Sequence, residues 1–142
     1  KPVDKSNWED IVDLTVSNEQ SGFVASNAYS LAEAAYEESG VPLGIFAHDK
    51  AVGFLMYESL AYENKVGEYS IYRFMIDINH QNKGYGRVAL KKAISEIASF
   101  SDCKRITICY STKNAVAKSF YESFGFKEVG LESGEMLAEI IL

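Results

Sequence analysis

The residues from Ile76 to Arg87 read Ile-Asp-Ile-Asn-His-Gln-Asn-Lys-Gly-Tyr-Gly-Arg: a strand, a glycine-containing turn, and the opening of a long helix. The first N–H groups of a helix have no internal partner and sit at the positive end of its dipole, so such a turn is an anion site. Gly84 and Gly86 let the backbone approach a phosphate with no Cβ in the way. Lys83, Arg87 and Lys91 add positive charge, the last two one helical turn apart. A pyrophosphate suits this place. Gly84-Tyr85-Gly86-Arg87-Val88-Ala89 also fits the dinucleotide pattern G-x-G-x-x-A, but that pattern wants an acid at the end of the next strand, which here ends Cys109-Tyr110-Ser111. It also usually opens a domain, whereas this turn follows three strands. The segment is not a Walker loop. A tight turn that needs glycine for geometry alone is the simplest alternative.

Other groups capable of chemistry are scattered. Glu33 and Glu37 stand four apart on a helix and share one face, either as a paired-carboxylate site or as an ordinary solvated face. Tyr121 lies on a helix with Phe120 and Phe124 and by itself reads as aromatic core. His48 falls in a turn and His80 just before the glycine turn, both expected at the surface. Cys103 and Cys109 have neither zinc-ligand spacing nor a C-x-x-C pattern, so they read as inert buried thiols and no metal site is expected.

Regular elements must position these groups. Ser6-Asn7-Trp8-Glu9 reads as a capping box opening a helix with Trp8, Ile11, Val12 and Val16 near one face. Ser30 is expected to cap a second helix, 31–39, stopped by Gly40. Strands are expected at 41–47 and 51–62, joined as a hairpin through His48-Asp49-Lys50, and at 67–78. A helix over 84–100, a strand over 105–110, a helix over 115–124 broken by Gly125, and closing strands at 126–129 and 136–141 follow. An initial strand, clipped or short, completes the order β-α-α-β-β-β-α-β-α-β-β. The fold class is α/β with a mixed sheet, antiparallel early and crossing over in the middle.

The 142 residues fit one domain spanning 1–142, with 47% apolar and 24% charged residues. No run approaches the roughly 18 apolar residues of a membrane helix, and no targeting signal is visible, which with two free cysteines favours the cytoplasm. A net charge of -6 makes general nucleic-acid binding a poor expectation. The charge is divided: residues 1–80 hold 5 basic and 13 acidic side chains, residues 81–142 hold 9 and 7. Such a division suits a molecule handling two oppositely charged partners, or simply reflects solvated surface.

Gln81-x-x-Gly84-x-Gly86 after a strand is similar to the [RQ]-x-x-G-x-[GA] acetyl-CoA motif of the GNAT superfamily of N-acetyltransferases. Asn114-x-x-Ala117-x-x-x-Tyr121-x-x-x-Gly125-Phe126 resembles that family's downstream motif, after the expected strand. Taken with the order of elements around these motifs, the resemblance covers nearly the whole chain. More narrowly, Tyr72-Arg73-Phe74-Met75-Ile76-Asp77 through Gly86, with Gly53-Phe54 upstream, resembles bacterial spermine/spermidine acetyltransferases.

The resemblance implies a mostly antiparallel sheet splayed at a central parallel strand pair, flanked by about four helices, and direct acetyl transfer from acetyl-CoA to an amine. The third strand would splay at a bulge, and the pantetheine arm would pair with the backbone of Phe74, Met75 and Ile76, imitating strand addition. The Phe74 N–H would polarise the thioester carbonyl, an effect worth on the order of 3 kcal/mol. The N–H groups of Gln81, Asn82, Lys83, Gly84, Tyr85, Gly86 and Arg87 would hold the pyrophosphate, and Asn114 the pantetheine arm. Tyr121 would be the general acid.

For the general base the residues leave several openings. Counting back from the turn lands on Ser70, unsuited to the task, flanked by Glu68 and Tyr72. Glu33, Glu37 and Glu58 are alternatives. Glu33, Glu37, Glu58 and Tyr72 are the expected acceptor-binding residues, the second helix bordering that site in the family. The expected acceptor is a polyamine. Another amine (an amino acid, an aminoglycoside or a protein N-terminus) and a non-catalytic acyl-CoA-binding regulator are the rivals. Ile140-Ile141-Leu142 either reaches a second subunit of a homodimer or closes the core.

Overall fold

The computed structural model describes residues 1–142. Its elements are α1 (Trp8–Val12), α2 (Asn27–Tyr36), β1 (Gly40–Ala47), β2 (Lys50–Ser59), β3 (Glu68–Ile76), α3 (Tyr85–Ala98), β4 (Arg105–Tyr110), α4 (Ala115–Glu122), β5 (Lys127–Glu132) and β6 (Glu135–Ile141), with short 3₁₀ turns at Leu60–Glu63 and Ile78–His80. The six strands form one sheet in the order β1-β2-β3-β4-β6-β5. Every neighbouring pair is antiparallel except β3–β4. The expected mixed sheet, splayed at the parallel pair and flanked by four helices, is what the chain builds. No helix is long and apolar enough to cross a membrane.

The sheet is covered on both faces. One face packs α3 and α4 through Leu55, Tyr57, Ile71, Leu90, Ile97, Ile108 and Tyr121. The other packs α1 and α2 through Ile11, Phe54, Met56 and Met75. Because β2 is central, all of Ala51 to Tyr57 is buried. This explains why β2 reads as an uninterrupted apolar run rather than an alternation.

Several boundaries differ from the sequence expectation, each for a local reason. There is no capping box at Ser6: the Asp4 carboxylate accepts both Ser6 N–H (2.7 Å) and Ser6 Oγ–H (2.6 Å), and Asn7 at the N-cap makes no capping bond. A charged acceptor close in sequence outcompetes the hydroxyl cap, and α1 ends at Val12, short of Val16. Helix α2 starts earlier than expected, capped by Ser26 Oγ, which accepts the Tyr29 N–H at 3.1 Å. Ser30 is instead buried inside it and accepts Arg73 Nε–H at 3.2 Å. Gly40 opens β1 rather than stopping the helix. The initial strand survives as a single bridge from Pro2 to Leu43, flanked by Val3 N–H donating to Pro42 O (3.0 Å) and Gly44 N–H donating to Lys1 O (2.8 Å). At the other end Ile140 packs against the core, while Ile141 and Leu142 are exposed.

Between β3 and α3 the buried carboxylate of Asp77 gathers three donors: Thr15 N–H (3.0 Å), Asn79 N–H (3.1 Å) and His80 Nδ1–H (3.0 Å). Burial pushes its pKa up, but these bonds outweigh burial and hold it below the ordinary value of 3.8. Its stabilisation is therefore complete above that ordinary value and lost as pH falls through the lower native one. Asp77→Ala should cost about 2 kcal/mol at neutral pH, the penalty for orphaning donors that are partly buried. Urea melts at pH 7 and pH 3 check this, the gap between wild type and variant narrowing at pH 3. An equal gap at both would remove the carboxylate as its source.

Candidate active site

The sheet is forked. The parallel ladder joins Glu68–Ile71 to Arg105–Ile108 and stops there. Along β2, Met56 faces Arg73 but Tyr57 faces Ile71, so Tyr72 is an extra residue on β3. A bulge of this kind bends the strand that carries it, and β3 leaves β4 just where the ladder stops. Beyond the bulge, Asp77 N–H donates to Val52 O at 2.8 Å. Counting back by twos in an antiparallel ladder, Met75 and Arg73 also turn their backbone groups to β2, while Phe74 and Ile76 turn theirs into the fork. The Ile76 carbonyl is there, accepting from Gln81. Met75, expected beside them as a cofactor contact, borders the fork but turns its backbone groups to β2, and its side chain is buried in the cluster on the α1–α2 face.

The glycine turn closes one end of the fork. Asn82 and Gly84 both take left-handed backbone conformations, with φ of 61° and 81°. Gly84 is the N-cap of α3 and has no side chain to cap it. The first intrahelical bond is Val88 N–H to Gly84 O (3.3 Å), so the N–H groups of Tyr85, Gly86 and Arg87 remain open. A Cβ at Gly84 would meet nothing within 4 Å; one at Gly86 would touch Ile76, Phe74 and Phe120 at 3.4, 3.6 and 3.8 Å. Arg87 lies over the rings of Phe120 (5.4 Å) and Phe124 (5.1 Å) and donates to Ser123 Oγ at 3.1 Å. Lys83 is exposed and does not line the cleft.

The fork and the turn share one cleft of about 420 Å³. Phe74 and Phe120 stack across it, with ring centroids 6.0 Å apart and planes 8° from parallel. Asn114 lines it and caps α4, its Oδ1 accepting Ala117 N–H at 3.1 Å, which leaves its amide N–H groups free. Tyr121 is buried among Tyr110, Phe120 and Phe126. Its hydroxyl makes no hydrogen bond, yet no sealed side-chain polar atom lacks a partner, so that hydroxyl opens to the cleft. Burial pushes the phenol well above its usual pKa, keeping it a proton donor across the neutral range. Strand-edge N–H groups suit an amide-bearing arm and uncapped helix N–H groups suit a pyrophosphate. The residues present therefore fit an acyl-CoA.

A second, open pocket of about 990 Å³ meets the cleft at the bulge, since Tyr72 and Arg73 line both. It brings Glu33, Glu37, Glu58 and Tyr72 together as expected, and adds Glu38, Tyr29, Tyr36, Tyr62 and Arg73. Glu33 is paired with Arg73 Nη2 at 3.4 Å. Glu58 Oε2 accepts from Ser39 Oγ (2.9 Å) and Tyr62 Oη (3.0 Å), which leaves Oε1 free. Burial and the Glu58 hydrogen bond push Tyr62 up to about 12. Tyr29, Glu33 and Tyr36 lie on one face of α2, a signal present in the spacing, whereas Glu37, expected to share that face in a helix running to Ser39, is the extended C-cap just past Tyr36. Arg73 had no such signal, because its facing depends on the bulge.

The remaining expectations resolve outside the site. Glu68 is tied to Arg105 (2.7 Å), which also holds Glu139 (2.6 Å), at the closed end of the fork. That removes it from the base question. His48 is an exposed turn residue. His80, expected at the surface, is half-buried beside the cleft and bound to Asp77. Both thiols are free; burial raises Cys103, and Cys109 rises to about 11. No cluster of metal ligands is present.

Residues 8–126 match the family model described as "Acetyltransferase (GNAT) family". The chain is 34% identical over 130 residues to a probable spermine N(1)-acetyltransferase of Bacillus subtilis subsp. natto (strain BEST195), covering 89% of this chain and 86% of the relative. The same figures hold for the spermine/spermidine N(1)-acetyltransferase of Bacillus subtilis (strain 168). The crystal structure of spermidine N-acetyltransferase from Vibrio cholerae, in complex with CoA and spermine, superposes with a TM-score of 0.76 over 99% of this chain and 93% of that one. At 15% identity that likeness is one of fold. A forked sheet with an uncapped glycine turn at its mouth, matched along most of its length by the family model, places this chain in the GNAT family as an acetyl-CoA-dependent N-acetyltransferase.

Proposed function

We propose that this enzyme transfers the acetyl group of acetyl-CoA to a primary amine of a polyamine such as spermidine or spermine. The observation that carries the reading is the pocket of four carboxylates and four tyrosines joined to the cofactor cleft at the bulge. With Glu33 neutralised by Arg73, the carboxylates of Glu37, Glu38 and Glu58 are left for the ammonium groups of a polycation. The tyrosine faces of Tyr29, Tyr36 and Tyr62 add cation–π attraction. The names of the two Bacillus relatives support the same substrate class.

Acetyl-CoA supplies an activated acetyl thioester. The Phe74 N–H donates to the acyl oxygen as negative charge gathers on it. Ile76 N–H and the amide of Asn114 orient the pantetheine arm, and the open N–H groups of Tyr85, Gly86 and Arg87 hold the pyrophosphate. Tyr121 Oη, kept protonated by burial, gives a proton where sulfur leaves. The amine must attack neutral, which at pH 7 costs roughly 4–5 kcal/mol for an ordinary primary amine. Glu58 Oε1, free in the acceptor pocket, can draw an ammonium in and take up that proton directly or through water.

A panel of amines assayed by thiol release should show spermidine and spermine turned over with higher kcat/KM than amino acids, aminoglycosides or N-terminal peptides. Coenzyme A binding with no amine acetylated would sink the reading. Tyr121→Phe should lower kcat by about 100-fold while changing coenzyme A affinity far less; an unchanged kcat would dismiss Tyr121 as the acid. Glu37→Gln combined with Glu58→Gln should raise KM for spermine by about tenfold more than for a monoamine. Equal effects on the two would show that these carboxylates do not read the distal charges.

A further inference from the structure

The side chain that opens the glycine-turn motif is fully engaged inside the protein. Gln81 has two amide N–H groups, and Nε2 donates to Ile76 O (3.0 Å) and to Gln20 Oε1 (2.9 Å). No side-chain donor is left for an anion. What Gln81 grips is the loop between α1 and α2. Gln20 Oε1 also accepts Ser17 N–H at 3.2 Å, so a single oxygen both shapes the loop and ties it down.

The loop is pinned once more, at its start, where Ile78 N–H donates to Thr15 O (2.7 Å) and Thr15 N–H donates to Asp77 Oδ1 (3.0 Å). Between Val16 and Val24 no hydrogen bond other than that of Gln20 reaches β3 or the turn. Yet Val16, Gln20, Phe23 and Val24 form one wall of the cleft. Val16 and Val24 pack against the core cluster of Ile11, Phe54 and Met75, so the ends of the wall are held by apolar contact, while its middle has one polar tie to the segment that carries the anion site, the Gln81–Gln20 contact.

We infer that Gln81 is a latch: it sets the α1–α2 loop from the glycine turn, so occupancy of the turn and binding against the loop wall are coupled. Gln81 is thus a positioning residue, acting through Gln20. An anion held by the N–H groups after Gly84 orders the turn, the latch passes that order to the loop, and linkage requires the reverse effect to be equal. The latch acts within the cofactor cleft and stands whichever amine is the acceptor.

The test compares wild type, Gln20→Ala, Gln81→Ala and the double variant. Coenzyme A should slow backbone hydrogen exchange of residues 15–24 in wild type and in none of the variants. Each single variant should weaken coenzyme A binding about fivefold, the scale of one hydrogen bond, and the double variant no further than either. The proposal is overturned if loop protection persists in both single variants or if their effects on coenzyme A affinity multiply. It is equally overturned if Gln81→Ala weakens coenzyme A binding while leaving loop exchange at wild-type values. If Gln81→Ala fails to fold, Gln20→Ala, which spares the bond to Ile76, decides alone. If no amine is acetylated, the polyamine reading fails and loop exchange still judges the latch.

Discussion

The parallel ladder between β3 and β4 holds only from Glu68 to Ile71 on one side and from Arg105 to Ile108 on the other. It ends because one extra residue, Tyr72, bends β3 away. Backbone N–H groups at Phe74 and Ile76 are then left facing a gap instead of a strand. An unpaired buried donor costs about 1–3 kcal/mol, so an opening of this kind persists only where water or a ligand completes it. The closed end is secured by Arg105, which ties Glu68 of β3 to Glu139 of β6 across β4. The same bulge puts Tyr72 and Arg73 on the α2 side in succession. That is why two pockets with different chemistry share these two residues.

The two faces of the fork divide the electrostatic work. On the turn side the positive potential comes from open backbone N–H groups and from Arg87, which lines the cleft while lying over Phe120 and Phe124, whereas Lys83 does not line it. On the side of the second pocket the negative potential comes from Glu58, held by Ser39 and Tyr62, and from the exposed, unpaired Glu37 and Glu38, because Glu33 is paired with Arg73. The division of charge between residues 1–80 and 81–142 thus has a structural counterpart, although the contributors are fewer than the charge count implies.

The fold was legible wherever the pattern depends on the chain alone. The apolar run of β2, the strand-turn-helix at Gly84 and the helix closed by Gly125 all appear where their residues placed them. The two spaced motifs also brought the turn, Asn114 and Tyr121 to one cleft, and the resemblance along the strand before the turn added Phe74. What stayed hidden depends on contacts distant in sequence. Ser30 looked like a cap because nothing local shows Arg73 arriving from 43 residues away. Gln81 was expected to offer its backbone N–H to the cofactor, and the engagement of its side chain by Gln20, 61 residues upstream, is invisible to spacing. Tyr62 joined the acceptor pocket only because the strand expected to run to it ends at Ser59 and turns.

The two glycines of the turn are needed for opposite reasons. Gly84 has ample room around it, and what it supplies is a backbone angle that other residues adopt only under strain. Gly86 has an ordinary backbone and limited room, for a methyl group there would rest against Ile76, Phe74 and Phe120. Alanine is thus admissible at position 86 and not at 84, whereas any longer side chain at 86 would wedge the helix off the fork. The tolerance written into the motif, glycine alone at the first place and glycine or alanine at the second, is a measure of the clearance between α3 and β3.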